Sequence, residues 1–358
     1  MGNQLSFSLT ESELERQKAG VDMDMKVDPR GKADKIMLIV ISTIYSIDFV
    51  AVLYMLWNIK YPPLKAKNPT IMTLVMISSI VWFVGDLQTN GHVPLANTPM
   101  TNCKAFGIWA RLLSGVCLYN SLISLRAYGM YRVFYLHRPY HGLGLYLPYF
   151  LYILCLIAFG VVAQVLSPAI STVYVSGIDI CSYTAGFKAA MFGFLGATVL
   201  IGAIALWKVR SIKSSFNESR EMMLSYIIMV VALAFAITVS YIGPKYTLDV
   251  RLRIIFTSLS HFLANILWWL IMGVPMYKCL FDHERYLKQW ISKLRKDGLQ
   301  KEYDIDSNTS SANSHRLSSS YNRNSTLLAS NNGYKKGGNF YPMEESVYED
   351  GDSIREGR

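Results

Sequence analysis

The stretch SLISLRAYGMYRVFYLHRP, residues 121–139, closes a long apolar run with arginines, tyrosines and a proline. Because arginine is costly inside hydrocarbon, an apolar helix that ends at Arg126 and Arg132 either leaves a membrane or presents charge to a partner. Arg126 follows Cys103 by about 35 Å along a helix that rises about 1.5 Å per residue, which is enough to cross the hydrocarbon. These arginines therefore mark one end of a membrane-spanning helix, with Pro139 beyond it.

The composition of the chain is that of a membrane protein. Of its 358 residues, 52% are hydrophobic and only 17% are charged, which is unusual for a soluble protein. The net charge of +10 does not indicate nucleic acid, because the basic residues lie between apolar runs and not in one patch. Five cysteines without CxxC or His/Cys spacing predict no metal or redox site. We also expect no cofactor and no enzymatic activity, since no paired His/Asp or Ser/His set lies at one depth.

Seven apolar runs are long enough to span a bilayer. They lie at about 36–58, 70–88, 105–128, 145–166, 188–207, 222–243 and 254–276. Backbone polar groups in lipid must be satisfied within the protein, and runs of this length achieve this as helices, not as short barrel strands. The sequence thus predicts an all-α membrane protein, a seven-transmembrane helix bundle. In the fifth run, Gly193 and Ala197 form a small-xxx-small pair suited to close helix packing.

The polar segments divide the chain into four predicted parts. Residues 1–35 form a short N-terminal segment and residues 36–277 the seven-transmembrane bundle. Residues 278–298 include FDHERYLKQWISKLRKDG, whose apolar residues recur at helical spacing beside lysines and arginines. This pattern predicts a short amphipathic helix on the membrane surface after the seventh span. Residues 299–358 are too poor in aliphatic residues to fold, so we expect a disordered tail.

The distribution of basic residues predicts how the bundle is oriented. With the amino terminus outside, the inner loops and the tail's start hold 15 lysines and arginines, against 11 in the outer loops and the N-terminal segment. The positive-inside rule therefore favours an outer amino terminus and a cytoplasmic carboxyl terminus. We expect the plasma membrane as the location of the protein. Three glycosylation sequons then fall on the cytoplasmic side, where they would go unused: Asn217, Asn308 and Asn324.

Two positions match lipidation patterns. Gly2 with Ser6 fits the N-myristoylation motif, a weak six-residue pattern that would favour a cytosolic amino terminus instead. Cys279, just ahead of the amphipathic segment, suits reversible palmitoylation, and an unmodified thiol is the alternative.

Cys103 and Cys181 are predicted to form a disulfide. Cys103 precedes the third run and Cys181 lies between the fourth and fifth, both in polar loops on the side assigned as extracellular. A disulfide needs that oxidising compartment. The alternative is two unrelated thiols.

Polar side chains within the apolar runs are candidate functional residues, because polar groups at membrane depth need partners. Asp48 in the first run and Asn265 in the seventh lie at similar depth, with His261 one turn above Asn265. We expect a hydrogen bond between Asp48 and Asn265, which serves either as a switch within the bundle or as a structural contact.

A second polar group lies nearer the outer side. Asp86 and Arg111 are expected to form an ion pair, and removing one partner would strand the other charge. The pair either borders a ligand cavity or only ties two helices together. Asn120, deeper on the third run, either extends that cavity or joins helices by hydrogen bonding.

Seven helices, an outer amino terminus, the two cysteines and the amphipathic helix together resemble a G-protein-coupled receptor over about residues 36–298. Rhodopsin-like motifs are missing: no Asp-Arg-Tyr follows the third run, and the seventh ends in GVPMYKC. The sequence is more similar to the seven-helix portion of fungal receptors often fused to an RGS domain and, more distantly, to class C receptors. The residues that carry this similarity are Cys103, Arg126, Arg132, Val133, Phe134, Pro275 and Tyr277.

The resemblance implies a heterotrimeric G protein as cytoplasmic partner and an unidentified extracellular ligand. Because the tail shows no RGS domain and the N-terminal segment is too short for a ligand-binding domain, ligand capture falls to the bundle. Basic residues at the inner end would frame the crevice that opens for the G protein: Arg126, Arg132, Lys208, Arg210 and Lys213. Tail serines would serve either regulatory phosphorylation or only a spacer: Ser318, Ser319 and Ser320.

A transporter or channel for a small solute or ion is the alternative function. Asp48, Asp86, Arg111 and His261 would then line its pathway. Such proteins show inverted repeats or helices broken in matching halves, and neither pattern is visible in this sequence. A retinal protein is not expected, because residues 254–274 contain no lysine for the Schiff base.

Overall fold

Seven long apolar helices form the body of the part of the chain described by the computed structural model, residues 11–134, 136, 143–209, 218–243 and 245–296. By length and composition each could cross a membrane. We number them as the first to seventh spans: Lys32–Trp57, Pro69–Thr89, Lys104–Arg132, Leu143–Val165, Ala185–Trp207, Arg220–Ile242 and Val250–Phe281. The predicted seven-helix bundle is confirmed.

The third span changes its helical form partway along. It is a π-helix over Lys104–Cys117 and an α-helix over Leu118–Phe134. The Asn102 side chain accepts a hydrogen bond from the Ala105 amide at 3.1 Å, which satisfies one free donor at the helix start. The π-helical part carries Arg111, and such segments are frequent at functional sites.

The second and third spans approach each other closely at two glycines. A Cβ atom on Gly85 would lie 2.6 Å from the Cβ of Arg111, and one on Gly115 would lie 2.7 Å from the Cβ of Trp82. Both positions therefore need a residue without a side chain. The close packing predicted at Gly193 is wrong, because a Cβ there would meet no described atom within 4 Å. Small residues alone do not show which face of a helix meets a neighbour.

One end of the bundle is capped by a short helix and a hairpin. The cap helix Glu11–Asp22 precedes the first span, and strands β1, Thr172–Val175, and β2, Ile180–Tyr183, form an antiparallel hairpin between the fourth and fifth spans. Arg16 joins the two by donating from Nε to the carbonyl of Ile178 at 2.7 Å. The sequence predicted neither element within the all-α bundle.

The disulfide between Cys103 and Cys181 lies at the same end, which we call the disulfide end. It joins the start of the third span to β2, with Cα atoms 5.6 Å apart. The predicted bridge is confirmed. It holds the hairpin against the third span and so fixes the roof of the space between the spans.

The opposite end, which we call the far end, carries the C-terminal amphipathic helix His283–Lys296. Its apolar side chains Trp290 and Leu294 are buried, as the predicted amphipathic pattern requires. The helix starts later than the predicted boundary at 278, because the seventh span continues as a helix through buried Pro275 to Phe281. Tyr277 is exposed.

Cys279, the predicted palmitoylation site, is packed inside the protein. Its side chain is buried, and its Sγ atom lies 3.8 Å from Nδ1 of His283. Palmitoylation would require this thiol to become exposed, and it stays a prediction. Gly2, the three sequons and the tail with Ser318, Ser319 and Ser320 lie outside the described residues.

We expect Gly85→Ala to lower the thermal unfolding temperature of the purified protein in lipid nanodiscs, because the added methyl group forces the second and third spans apart. Overpacking of this kind costs about 1–3 kcal/mol. Gly193→Ala is the matched control: it adds the same group to a helix where space is open, and helix propensity favours alanine by about 1 kcal/mol. Equal unfolding temperatures for the two variants would contradict the close approach.

Candidate functional site

A buried carboxylate, that of Asp86, lies at the junction of three spans. Its Oδ1 accepts a hydrogen bond from Arg111 Nε at 2.5 Å, and its Oδ2 lies 3.1 Å from His261 Nε2. Asp86 is fully buried, and a charge in that position needs compensation from close partners. The second, third and seventh spans are thus joined at one carboxylate. The expected pair of Asp86 and Arg111 includes a third member, His261, which the sequence had placed in another group.

The other nitrogen of His261 extends this network to the first span. His261 Nδ1 lies 2.9 Å from the Tyr45 hydroxyl, which lies 2.7 Å from the Ser79 hydroxyl. Both ring nitrogens of His261 thus have a polar partner, the carboxylate of Asp86 at Nε2 and the hydroxyl of Tyr45 at Nδ1. The rings of Trp82 and Phe83 pack against His261, with centroids 5.0 and 5.1 Å away. The imidazole is therefore held in one orientation.

The predicted hydrogen bond between Asp48 and Asn265 is wrong. Asp48 Oδ1 instead accepts from the indole Nε1 of Trp269 at 2.8 Å. Asn265 donates from Nδ2 to the carbonyl of His261, one turn earlier in its own helix, at 2.9 Å. The first and seventh spans are neighbours as expected, but the longer tryptophan side chain reaches the carboxylate and the asparagine bonds locally.

A second buried ion pair joins the first and seventh spans at the disulfide end. Arg253 donates to both oxygens of Asp34, from Nε at 2.9 Å and from Nη2 at 2.6 Å, and both side chains are buried. His92 bridges Asp34, at 2.8 Å, and Thr257, at 2.7 Å. In the sequence analysis, Arg253 was counted only as a basic residue that bears on orientation. The pair could have been recognised because Asp34 and Arg253 each lie about one turn inside a span, at the disulfide end of two neighbouring spans.

Asp179 fixes the hairpin turn over the disulfide end. Its carboxylate accepts from Arg30 Nη1 at 2.6 Å, from the Tyr174 hydroxyl at 2.6 Å and from the amides of Leu95 and Ala96. Burial alone would raise the pKa of Asp179, but the bonds from Tyr174 and Arg30 outweigh it and hold the pKa below its ordinary value. Asp179 therefore stays ionised, and the hairpin remains tied to the N-terminal segment.

A cavity of about 440 Å³ lies beneath the hairpin, among the third, fifth, sixth and seventh spans. This is within the usual range for sites that bind small molecules. Arg111 and Asn120 both line it, which is one of the two alternatives that the sequence left open for each, while Asp86 is not among the lining residues and holds Arg111 from behind. Its other polar and charged lining side chains include Thr89, Ser182, Tyr183, Lys188, Ser240, Tyr246 and Ser260.

The arginines assigned to the far end do not form one exposed group. Arg126 is buried inside the bundle, with Nη1 3.9 Å from the sulfur of Met72. It lies less than two turns before the end of the third span at Arg132, so its place at the inner boundary stays a prediction. Arg132 is also buried. Lys208 lies in the fifth helix, its side chain is outside the described part, and Arg210 and Lys213 lie outside it altogether.

An ion pair at the far end was missed by sequence reasoning. Lys67, just before the second span, donates from Nζ to Glu221 of the sixth span at 2.7 Å. The Tyr61 hydroxyl donates to the carbonyl of His283 at 3.0 Å and so ties the same connection to the C-terminal helix. Lys67 was counted only toward orientation, because loop charge alone does not identify a partner 154 residues away.

A metal site would require several ligand side chains close together. Within the residues that the structure describes, no group of three or more His, Cys, Asp or Glu side chains could hold a metal ion. Asp86, with its two cationic or hydrogen-bonding neighbours, is satisfied without one. Asp86 instead holds the guanidinium of Arg111 in place at the cavity wall.

We expect Arg111→Met to destabilise the protein strongly, because it removes one partner of a buried pair, a change that typically costs about 3–5 kcal/mol. The double variant Asp86→Asn with Arg111→Met should recover part of that loss, since no unmatched carboxylate remains. Thermal unfolding of the parent, the two single variants and the double variant gives the coupling energy. Additive losses in the double variant would show that the pair makes no energetic contribution.

Comparison with known proteins agrees with this architecture. Residues 31–273 match the family profile described as 7 transmembrane sweet-taste receptor of 3 GCPR, and this range covers all but the end of the seven spans. No curated protein matches the chain. The resemblance to class C receptors, carried in the sequence by residues such as Cys103 and Pro275, is confirmed. The chain belongs to the class C family of seven-transmembrane G-protein-coupled receptors.

Proposed function

We propose that this protein is a receptor that binds a ligand in the cavity at the disulfide end and activates a heterotrimeric G protein at the far end. The observation that carries the proposal is the reach of the sixth span. Its residues from Ile228 to Ser240 line the cavity, and Glu221, about two turns before Ile228, holds Lys67 at the far end. A displacement of this one helix by a ligand would change the contacts at both ends.

Transmission requires two packings of the bundle with different affinities for the ligand. The packing seen here has the ion pair of Lys67 and Glu221 closed, which holds the sixth span against the connection between the first and second spans. We assign this packing to the inactive state. In the active state the pair opens, and the crevice beside Arg126 becomes accessible to the G protein.

The proposed orientation places the disulfide end outside the cell. The bridge between Cys103 and Cys181 supports this, because disulfides persist in oxidising compartments. The larger number of basic residues at the far end also supports it under the positive-inside rule. The plasma membrane is the compartment in which such an orientation serves a receptor for an external ligand.

The transporter alternative has less support from the cavity. Of the four residues that its pathway would need, only Arg111 lines the cavity. Asp48 is bound to Trp269, while Asp86 and His261 are bound to one another. These contacts serve packing between spans and favour the receptor.

We expect the purified chain in lipid nanodiscs to accelerate GDP-for-GTP exchange on at least one class of purified heterotrimeric G protein. A receptor does so by stabilising the nucleotide-free form, whereas a transporter or channel has no reason to act on exchange. Empty nanodiscs are the control for lipid effects. No acceleration with any Gα class, either by the parent or by a variant that lacks the pair of Lys67 and Glu221, in a preparation whose thermal unfolding shows a folded bundle, would contradict the proposal.

We expect Lys67→Gln to raise exchange without added ligand by about 5-fold, because the lost pair is worth about 1 kcal/mol to the closed packing. Glu221→Gln should have the same effect, and the charge swap Lys67→Glu with Glu221→Lys should restore the low rate. Lys65→Gln is the matched control, since Lys65 lies in the same connection with an exposed side chain. An equal rise in the Lys65 variant would assign the effect to loop charge instead of the pair.

A further inference from the structure

The charge on the cavity wall has a single sign. Among the described residues that line the cavity, the charged side chains are Arg111 of the third span and Lys188 of the fifth, and none is acidic. Both cations belong to the lining of this one cavity. Low-dielectric walls strengthen such a field and concentrate ions of the opposite sign.

The two cations differ in how much of their charge is already matched. Arg111 is paired with the buried carboxylate of Asp86. Lys188 is half-buried, and none of the ion pairs in the described part of the chain includes it. The cavity therefore presents about one unmatched positive charge, which fits a singly charged anion better than a doubly charged phosphate.

The rest of the lining is suited to an apolar group. The cavity is walled by aromatic rings from several spans together with aliphatic side chains of the fifth, sixth and seventh spans. The ring of Phe256 also lies against the guanidinium of Arg111, with its centroid 5.9 Å from Cζ. The aromatic residues of the lining are Trp82, Tyr119, Tyr183, Phe192, Tyr246 and Phe256. A ligand with a flat apolar body and one charged end would fill both regions.

We propose that the cavity selects an amphipathic monoanion, with its carboxylate between Arg111 and Lys188 and its aromatic body among the rings of the lining. This assignment gives Lys188 the role of selecting charge. It rests on the proposed function only in that the cavity is the ligand site, and it does not depend on which G protein is activated.

The probe for this inference is biphenyl-4-acetate, compared with its neutral isostere biphenyl-4-acetamide and with the cationic 2-(biphenyl-4-yl)ethylamine. Binding to the full chain is measured by isothermal titration calorimetry in nanodiscs of phosphatidylcholine. We expect the acid to bind at least about 10-fold more tightly than the amide, because only the acid matches the charge on the wall, and the amine to bind least. Equal affinities for acid and amide would overturn the inference, as would no detectable binding of the acid.

Lys188→Met tests the residue directly, because it keeps the length of the side chain and removes its charge. We expect affinity for the acid to fall about 10-fold and affinity for the amide to stay the same. Lys188→Gln serves as a second variant. Lys245→Met is the matched control: Lys245 is exposed and adjoins Tyr246 of the lining without lining the cavity itself. An equal loss in the Lys245 variant would show that general surface charge, and not Lys188, attracts the anion.

An anionic lipid could present the same chemistry from the bilayer. Replacing part of the phosphatidylcholine by phosphatidylglycerol distinguishes the two sources. We expect the affinity for biphenyl-4-acetate to be unchanged, since the cavity is proposed to take a free acid. A loss of affinity that Lys188→Met abolishes would show that lipid occupies the site and would overturn the assignment to a free acid.

The binding and exchange measurements fail independently. Selective binding of the acid without nucleotide exchange would leave the charge selection intact and remove the proposed coupling to a G protein. Exchange with equal binding of acid and amide would leave the receptor function intact and remove the charge selection.

Discussion

The fully buried carboxylate of Asp86 is the constraint on which the packing of the bundle depends. Such a charge is stable in a low-dielectric interior only if its oxygens are held by close partners. Arg111 and His261 supply them from two other spans. This requirement fixes how the second, third and seventh spans face one another, and Gly85 permits the close approach by presenting no side chain to the third span.

The same pairing prepares the proposed ligand site. Asp86 holds Arg111 at the cavity wall and matches much of its charge, which leaves Lys188 as the less compensated cation. A cavity formed in this way can be selective for charge without exposing an unpaired arginine to the bundle interior. The disulfide and the hairpin turn at Asp179 keep its roof in place. Stability and recognition thus depend on the same group of contacts.

Much of the fold could be predicted because its signals are local. Each of these signals can be recognised within a single segment of the sequence. They are the seven apolar runs, the amphipathic pattern after the seventh run and the two loop cysteines. The pair of Asp86 and Arg111 could also be expected, because two opposite charges at similar depth must find partners. The cap helix Glu11–Asp22 could not, since its polar residues are stabilised by contacts such as that of Arg16 with distant Ile178.

The sequence by itself determined the number of spans and the residue types that carry buried charge, because the bilayer imposes length and hydropathy on each segment separately. It indicated the bridge between Cys103 and Cys181, which the structure confirmed. Only the tertiary structure decided the partners. Asp48 bonds Trp269 and not Asn265, and Lys67 finds Glu221 across the bundle. Helix rotation and side-chain reach choose among polar groups at one depth, and both are properties of the packed spans together.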